Sequence, residues 1–157
     1  AFAGTIYQPP EAPFGPVPAS PVPIWVGAFG PRMLTSTGRY GDAWLPTNYY
    51  LDLADVPAMQ RRIDDAAERA GRDPWDVLRI FNVMGTISDT ASTENGRRLV
   101  GPVSFWVDAL GDYHERLGFD SFTFWPVAGD RAAQVAQFFE EVRPQLPDIF
   151  RPTGNEE

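Results

Sequence analysis

The sequence predicts an α/β fold that corresponds to half of a TIM (β/α)8 barrel. Four short apolar runs alternate with four amphipathic segments, a pattern that indicates a parallel sheet with right-handed helical crossovers. The 157 residues make one domain, whereas a complete barrel needs eight units and about 250 residues. An open doubly wound sheet needs about five strands. Half of a barrel fits the count best, although it leaves two sheet edges unpaired, which soluble proteins avoid.

The chain opens on a proline-rich lead-in, which we assign to residues 1–23. Seven prolines fall between residues 8 and 23. Each removes a backbone donor and fixes φ, so this stretch is predicted to be extended. An apolar run follows directly, which favours a surface connector over a ligand for an SH3 or WW domain. Ala1–Tyr7 has the pattern of a short strand and reads as the middle of a longer sequence.

The first unit begins with the apolar run Ile24–Gly27, which predicts a short strand covered on both faces. Pro31 suits the first turn of the helix that follows, and Gly41 ends that helix. The apolar positions of this helix recur at helical spacing: Met33, Leu34, Thr37 and Tyr40.

The second unit has its strand at Ala43–Leu45, which Pro46 closes. Either Asp52 or Asp55 is predicted to cap the following helix, and Gly71 ends it. The apolar positions of that helix step by three and four residues: Val56, Met59, Ile63, Ala66 and Ala70.

The third unit has the longest strand, predicted over Leu78–Ile87. A polar loop is predicted over Ser88–Gly101, and either Pro102 or Ser104 opens the next helix. One face of this helix is apolar: Trp106, Ala109, Leu110, Tyr113 and Leu117.

The fourth unit has a strand at Phe122–Trp125 and a helix that Asp130 is predicted to cap. The buried stripe of this helix is predicted to consist of five residues: Ala132, Val135, Phe138, Phe139 and Val142. The four units together occupy residues 24–143, and residues 144–157 are predicted to form a loose tail.

The composition excludes several kinds of chemistry. Without cysteine, the chain has no disulfide, no thiol nucleophile and no cysteine-based zinc or iron–sulfur site. It also has no lysine for a Schiff base or a Walker-type phosphate loop, and its single histidine leaves no two-histidine metal motif. We therefore expect no metal site. The net charge of −8 argues against a nucleic-acid partner, and the lack of a long apolar segment argues for a cytoplasmic protein without a membrane span.

The turn between the first strand and its helix is the first candidate site. Gly27 and Gly30 allow a ligand to approach the backbone closely, and the first helical amides are free to bind an anion. Arg32 would add a bidentate phosphate partner in the same turn. A strand-to-helix turn needs glycine in any case, so a plain turn is the alternative interpretation.

Further candidates follow the other strands. Thr47 and Asn48 come after the second strand and Trp125 ends the fourth, so all three are expected at the rim where barrel sites form. Trp125 is equally compatible with a binding site and with packing in the core. Arg97 and Arg98 could reach a negatively charged ligand tail, but a solvated pair in a polar loop is the simpler interpretation.

No general acid or base can be assigned from the residues. His114 lies on a helix flank without a nucleophile motif nearby, which is typical of a surface residue. The carboxylates of the same helix form a stripe that we interpret as a solvated face: Asp108, Asp112 and Glu115. The catalytic residues therefore remain unassigned.

Four segments resemble the bacterial luciferase-like monooxygenase family, in particular its branch that uses the deazaflavin coenzyme F420. These segments are Pro21–Leu34, Thr37–Pro46, Ala70–Pro74 and Gly118–Pro126. The resemblance runs from about Phe2 to Val142. Family members are TIM barrels, and the resemblance covers only their C-terminal half, strands five to eight, in agreement with the count of four units.

The resemblance also implies where a cofactor would bind. F420, or FMN as the alternative, would lie at the rim, with Phe29, Gly30, Arg32 and Met33 contacting its phosphate-bearing side chain. Thr47 falls where relatives place a substrate-side residue. The first four strands of relatives supply much of the pocket and most catalytic side chains, so the resemblance does not imply a complete catalyst.

Three hypotheses follow from these observations. The first is an F420- or flavin-dependent luciferase-like oxidoreductase, represented by its C-terminal half, that transfers hydride to or from a small organic substrate. In such enzymes the cofactor carries the chemistry and the protein binds and orients it. The alternative is a non-catalytic half-barrel scaffold that pairs through its open edges with a copy of itself or with an N-terminal half-barrel. The third is a small open-sheet flavin-binding module, with residues 2–7 as a fifth strand.

Overall fold

The structure is a computed structural model, and it describes residues 5–6, 15–16, 18–90, 92 and 97–146. Within these ranges, strands and helices alternate. The strands are β1 (Trp25–Val26), β2 (Ala43–Trp44), β3 (Leu78–Ile87), β4 (Leu99–Gly101) and β5 (Ser121–Pro126). The α-helices are α1 (Pro31–Tyr40), α2 (Val56–Arg69), α3 (Val103–Glu115) and α4 (Arg131–Gln137). No helix in the described part of the chain is long and apolar enough to span a bilayer.

The main strands form one parallel sheet in chain order. β1 pairs with β2, β2 with β3, and β3 with β5, all in parallel. This sequential order confirms the predicted parallel α/β arrangement, and it differs from the doubly wound order of the third hypothesis. Most of residues 2–7, the fifth strand of that hypothesis, lie outside the described residues.

The short strand β4 was not predicted, because it lies inside the segment interpreted as a polar loop. It pairs with the end of β3, where Gly85 lies opposite Leu99. Gly85 also lies opposite Pro126 of β5, so β4 and β5 flank β3 on opposite sides. Three residues that end in a glycine are too short for a periodic pattern, which explains why the sequence did not indicate this strand.

The sheet has two different faces. The outer face packs against the helices through aromatic side chains: Phe81 stacks on Phe119 with ring centroids 4.3 Å apart, and Tyr113 meets Phe81 edge-on at 5.3 Å. The other, inner face carries Asn82 and Met84 of β3, both only half-buried. The core therefore lies between the sheet and its helices, and the inner face remains accessible.

The exposure of β1 differs from its prediction. Trp25 is 50% exposed and Val26 is half-buried, so β1 is not covered on both faces as predicted. The reason is that β1 is the edge strand of the described sheet. Met33 and Tyr40 of α1 are also exposed, and this helix buries Leu34 and two small residues beside it.

The helix caps follow the sequence only in part. Asp52 caps a short 3-10 turn before α2, where its side chain accepts a hydrogen bond from the amide of Ala54 at 3.0 Å. Asp55 makes no side-chain cap. Asp130 caps α4 as predicted, with its carboxylate accepting from the amide of Ala133 at 2.8 Å.

The last helix departs most from its prediction. Only Phe138 and Val142 of the predicted stripe are buried, whereas Ala132, Val135 and Phe139 are exposed. The chain leaves α-helical geometry at Phe138 and continues through π and 3-10 turns to residue 145. The predicted loose tail from residue 144 is therefore wrong at its start, because Leu146 is buried in the core. Residues 147–157 lie outside the described residues.

Burial of Tyr113 is expected to make the free energy of unfolding fall at alkaline pH. Burial raises the pKa of its hydroxyl above the ordinary value near 10. Because the pKa is higher in the folded than in the unfolded state, the neutral hydroxyl contributes its full stabilisation below pH 10. This contribution is lost as the pH rises through the folded-state pKa. We expect urea unfolding to show a smaller loss of stability between pH 9 and pH 12 in Tyr113→Phe than in wild type. Equal losses in both proteins would contradict this assignment, and the exposed Tyr50→Phe is the control.

Candidate functional site

The carboxyl ends of the strands place four loops along one rim of the half-barrel. After β1 comes the loop Gly27–Gly30, and after β2 come Thr47 and Asn48. Residues 88–90 follow β3, and residues 127–130 follow β5. Because all strands are parallel, these loops share one end of the sheet, the end where barrel enzymes build their sites.

The loop after β1 is held in a fixed shape. The amide of Ala28 donates to the carbonyl of Val26 at 3.0 Å, and the carbonyl of Ala28 accepts from the indole of Trp44 at 2.9 Å. Ala28 and Trp44 are both buried, so this bond anchors the loop to the core. The loop therefore presents the start of α1 to the rim in a defined orientation.

The first turn of α1 has free donors. Pro31 has no amide hydrogen, and the amide of Leu34 donates to the carbonyl of Gly30 at 3.0 Å. Within the described residues, the amides of Arg32 and Met33 have no hydrogen-bond acceptor, and the exposed Arg32 guanidinium has no ion-pair partner. The turn can therefore offer two amides and one guanidinium to an anion.

An aromatic cluster extends the rim beyond this loop. Phe29 meets Tyr50 edge-on with ring centroids 6.1 Å apart, and Tyr50 meets Tyr49 at 4.9 Å. The guanidinium of Arg98 lies over the Tyr49 ring at 5.2 Å. Arg97 is exposed. The two arginines therefore differ, because Arg98 is part of the packed rim and not one of a solvated pair.

The end of β2 is attached to β3 through a side chain. The amide group of Asn48 accepts from the Met84 amide at 2.9 Å and donates to the Met84 carbonyl at 3.0 Å. Thr47 bridges to Asn82 in the sheet and is half-buried. On β5, the hydroxyl of Thr123 donates to the Asn82 side chain at 3.0 Å. The polar groups of the inner face thus lie near the rim.

Trp125 belongs to the inner face. It lies opposite Met84 in the sheet and is 54% exposed, so it is not packed in the core between the sheet and the helices of this chain. Between the rim loops and α3 there is also a cavity of about 150 Å³, whose lining includes Asn48, Arg98 and Tyr113. The rim therefore combines anion donors, aromatic surfaces and half-buried polar groups.

The opposite end of the sheet carries structural polar groups. His114 uses its Nδ1 atom to hold the carbonyl of Phe119 at 2.8 Å. Arg79 is buried and paired with Asp64, and its burial lowers its pKa. These residues lie at the amino ends of β3 and β5, away from the rim. No cluster of three or more metal-ligating side chains occurs in the described part of the chain.

Comparison with known proteins identifies the family. The family model described as luciferase-like monooxygenase matches residues 1–106. This chain belongs to that family. The family match includes the loop after β1 and the Thr47–Asn48 segment, so these two parts of the rim lie within the matched residues.

Curated luciferase-like relatives match shorter segments. A phthiodiolone/phenolphthiodiolone dimycocerosates ketoreductase of Mycobacterium kansasii is 46% identical over 55 residues, 35% of this chain and 15% of the relative. An F420-dependent hydroxymycolic acid dehydrogenase of Mycobacterium tuberculosis is 32% identical over 98 residues, 57% of this chain and 24% of the relative. The matched part of the chain thus spans a quarter or less of these two relatives.

Solved structures support the fold. An F420-dependent secondary alcohol dehydrogenase, solved with an F420-acetone adduct, superposes with a TM-score of 0.67 at 13% identity, covering 83% of this chain and 51% of that one. A long-chain alkane monooxygenase superposes with a TM-score of 0.66 at 14% identity, covering 99% of this chain and 48% of the other. The chain spans about half of these TIM-barrel neighbours, which confirms the prediction of a partial barrel.

Proposed function

We propose that this chain carries the phosphate-binding rim of an F420-dependent luciferase-like oxidoreductase, with FMN as the alternative cofactor. The observation that carries the proposal is the first turn of α1, where the amides of Arg32 and Met33 and the Arg32 guanidinium are all available. A phosphate there would accept from both amides and pair with the guanidinium. Phe29 and Gly30 would contact the side chain that bears this phosphate, as the family resemblance implies.

The inner face of the sheet offers surfaces for the ring of the cofactor and for the substrate. Trp125 offers an exposed aromatic surface for a tricyclic ring, and Met33 is 52% exposed at the same rim. Thr47 is our candidate substrate contact, because it bridges to Asn82 of the inner face and is only half-buried. When bound, the deazaflavin supplies the hydride chemistry, and the side chains of this chain bind and orient it.

The names of the relatives support a proposal for the substrate class. Two curated relatives are a ketoreductase and a hydroxymycolic acid dehydrogenase, and one structural neighbour is a secondary alcohol dehydrogenase. Interconversion of a ketone and a secondary alcohol is therefore the reaction we favour. Oxygenation is the second candidate, because another neighbour is an alkane monooxygenase. FMN would be its cofactor, as the family resemblance implies. No described residue is positioned as an evident acid or base, so we assign no catalytic residue.

Fluorescence titration with F420 tests the proposal. We expect saturable binding, and we expect Arg32→Ala to raise Kd at least tenfold, because a charge-assisted hydrogen bond contributes about 1.5–3 kcal/mol. Arg61→Ala is the matched control, since Arg61 is exposed on α2, away from the rim. A parallel titration with FMN decides between the two cofactors.

Two results would contradict the proposal. One is a folded chain that binds neither cofactor. The other is binding that Arg32→Ala and Arg61→Ala weaken equally, because that would reflect overall charge and not a contact in the first turn of α1.

A further inference from the structure

We propose that the cavity between the loop after β2, the start of β4 and α3 binds the carboxylate of a small organic acid, with Arg98 and Tyr113 as donors. This site shares no residue with the first turn of α1, so the proposal holds whichever cofactor binds there. Its walls come from central elements of the chain, and neither β1, β5 nor α4 contributes to them. The cavity therefore does not depend on what covers the two sheet edges.

Arg98 is held in place at the start of β4. The next residue, Leu99, is buried and lies opposite Gly85 of β3. A Cβ atom at position 85 would overlap the carbonyl oxygen of Leu99, so β4 can approach β3 this closely only at a glycine. The guanidinium lies over the Tyr49 ring, 5.2 Å from its centroid. A guanidinium with one face on a ring keeps its edge, which carries the N–H groups, for an acceptor.

This guanidinium has no acceptor within the described residues. Its Nε atom is buried without a hydrogen-bond partner, and Arg98 forms no ion pair there. Arg97, which is exposed and also lines the cavity, is likewise without an ion pair in that part of the chain. The net charge of −8 means that carboxylates are in excess, yet none lies beside this arginine pair. Buried polar groups are nearly always paired, so an unpaired buried donor points to an ion or a ligand.

Tyr113 supplies the second, independent observation. Its side chain lines the same cavity and is only 9% exposed, and its hydroxyl has no hydrogen-bond partner in the described ranges. A buried tyrosine hydroxyl usually has a partner. Burial raises the pKa of this hydroxyl, so it stays protonated at neutral pH and can donate. None of the described residues that line the cavity is acidic, and an anion would therefore meet donors without a competing carboxylate.

The size and the remaining lining select the class of anion. The volume is about 150 Å³, and an apolar cavity of about this size binds benzene. Four of the lining residues are apolar: Leu51, Leu53, Leu99 and Phe105. Inorganic phosphate has no group to place against these side chains, whereas a short-chain carboxylate has a charged head and an aliphatic chain. Butyrate, which has as many non-hydrogen atoms as benzene, is therefore the probe.

Nuclear magnetic resonance titration with butyrate tests the site. The signals to follow are the Nε–H of Arg98, which Arg98→Leu identifies by its loss, and the backbone amide of Leu99. We expect both signals of the wild type to shift saturably, with a Kd of roughly 1–10 mM for so small a ligand. Tyr113→Phe removes only the hydroxyl and is expected to raise this Kd about tenfold. Arg98→Lys keeps the charge but loses the guanidinium edge, so the Leu99 signal should report a Kd at least tenfold higher.

Three controls separate this site from general charge effects. Arg61→Ala removes one exposed positive charge on α2 and is expected to leave the Kd for butyrate unchanged. Butyramide has the same size without the charge and should produce no saturable shift. Inorganic phosphate is expected to bind at least fivefold more weakly than butyrate. Circular dichroism of each variant separates lost binding from lost folding.

Four outcomes would overturn the proposal. The first is a folded wild type whose two signals do not shift at ten times the expected Kd. The second is an Arg98→Lys variant that binds butyrate as tightly as the wild type. The third is phosphate binding as tight as that of butyrate, which would exclude the carboxylate class. The fourth is a loss of butyrate binding in Arg32→Ala as large as in Tyr113→Phe, which would place the acid in the first turn of α1. Since F420 binding is measured in a separate titration, failure here does not imply failure of the cofactor site.

Discussion

Replacing Gly38 by alanine is expected to lower the free energy of unfolding by about 2–3 kcal/mol. A Cβ atom at this position would lie 2.2 Å from the carbonyl oxygen of Ile63 and 2.9 Å from the Cβ of Ala66. Both atoms belong to α2, and the first is backbone, so the two helices would have to move apart. The higher helix propensity of alanine offsets at most about 1 kcal/mol.

The control for this variant is Gly111→Ala in α3. A Cβ atom at Gly111 would have no neighbour within 4 Å, so the same substitution is expected to stabilise by about 0.5–1 kcal/mol through helix propensity alone. Chemical denaturation of both variants measures the difference. If Gly38→Ala were as stable as Gly111→Ala, the close packing of α1 on α2 would be wrong, and with it the position of the first turn of α1.

Replacing Asn48 by leucine is expected to cost about 3 kcal/mol. The side chain is 94% buried and makes two hydrogen bonds to the backbone of Met84. Leucine has a similar size but no polar group, so the amide and the carbonyl of Met84 would both lose their partner. Leaving a buried backbone group unpaired costs about 1–3 kcal/mol.

Two measurements check the role of Asn48. Urea denaturation gives the stability, and hydrogen exchange at the Met84 amide is expected to speed up in Asn48→Leu. Asn48→Asp keeps an acceptor for this amide but places a buried carboxylate oxygen against the Met84 carbonyl, so at neutral pH it is expected to be at least as unstable as Asn48→Leu. Protonation of this carboxyl at low pH restores a donor and is expected to recover part of the loss. A loss below about 0.5 kcal/mol in Asn48→Leu would contradict the described bonds.

Strands and helices with a clear apolar periodicity could be predicted from the sequence. Whether another part of the same chain covers their apolar face could not. The ten-residue strand β3 was predicted with its observed bounds, because its apolar content and length are unambiguous. β1 and α4 were predicted as elements, yet their apolar residues were assigned to a core. Apolar periodicity indicates which face is meant to be covered, and it does not indicate whether the covering element is present in the same chain.

In the candidate site, too, some features could be predicted from the sequence and others could not. The first turn of α1 was indicated by glycine, proline and arginine at a strand-to-helix junction, and the structure leaves its donors free. The tie between Asn48 and Met84 and the packing of Arg98 on Tyr49 were not predicted. Both depend on contacts between distant loops, for which local spacing carries no signal. The paired Tyr49–Tyr50 after a strand was the one sequence feature that could have indicated an aromatic rim.

The most direct test of the central claim is a crystal structure of the chain with F420. We expect the phosphate of the cofactor to lie within hydrogen-bond distance of the Arg32 and Met33 amides, with the Arg32 guanidinium beside it. The deazaflavin ring is expected on the inner face, near Trp125. A cofactor bound in the groove between β5 and α4, or at the end of the sheet that holds Arg79, would contradict the proposal that the α1 turn forms the phosphate site.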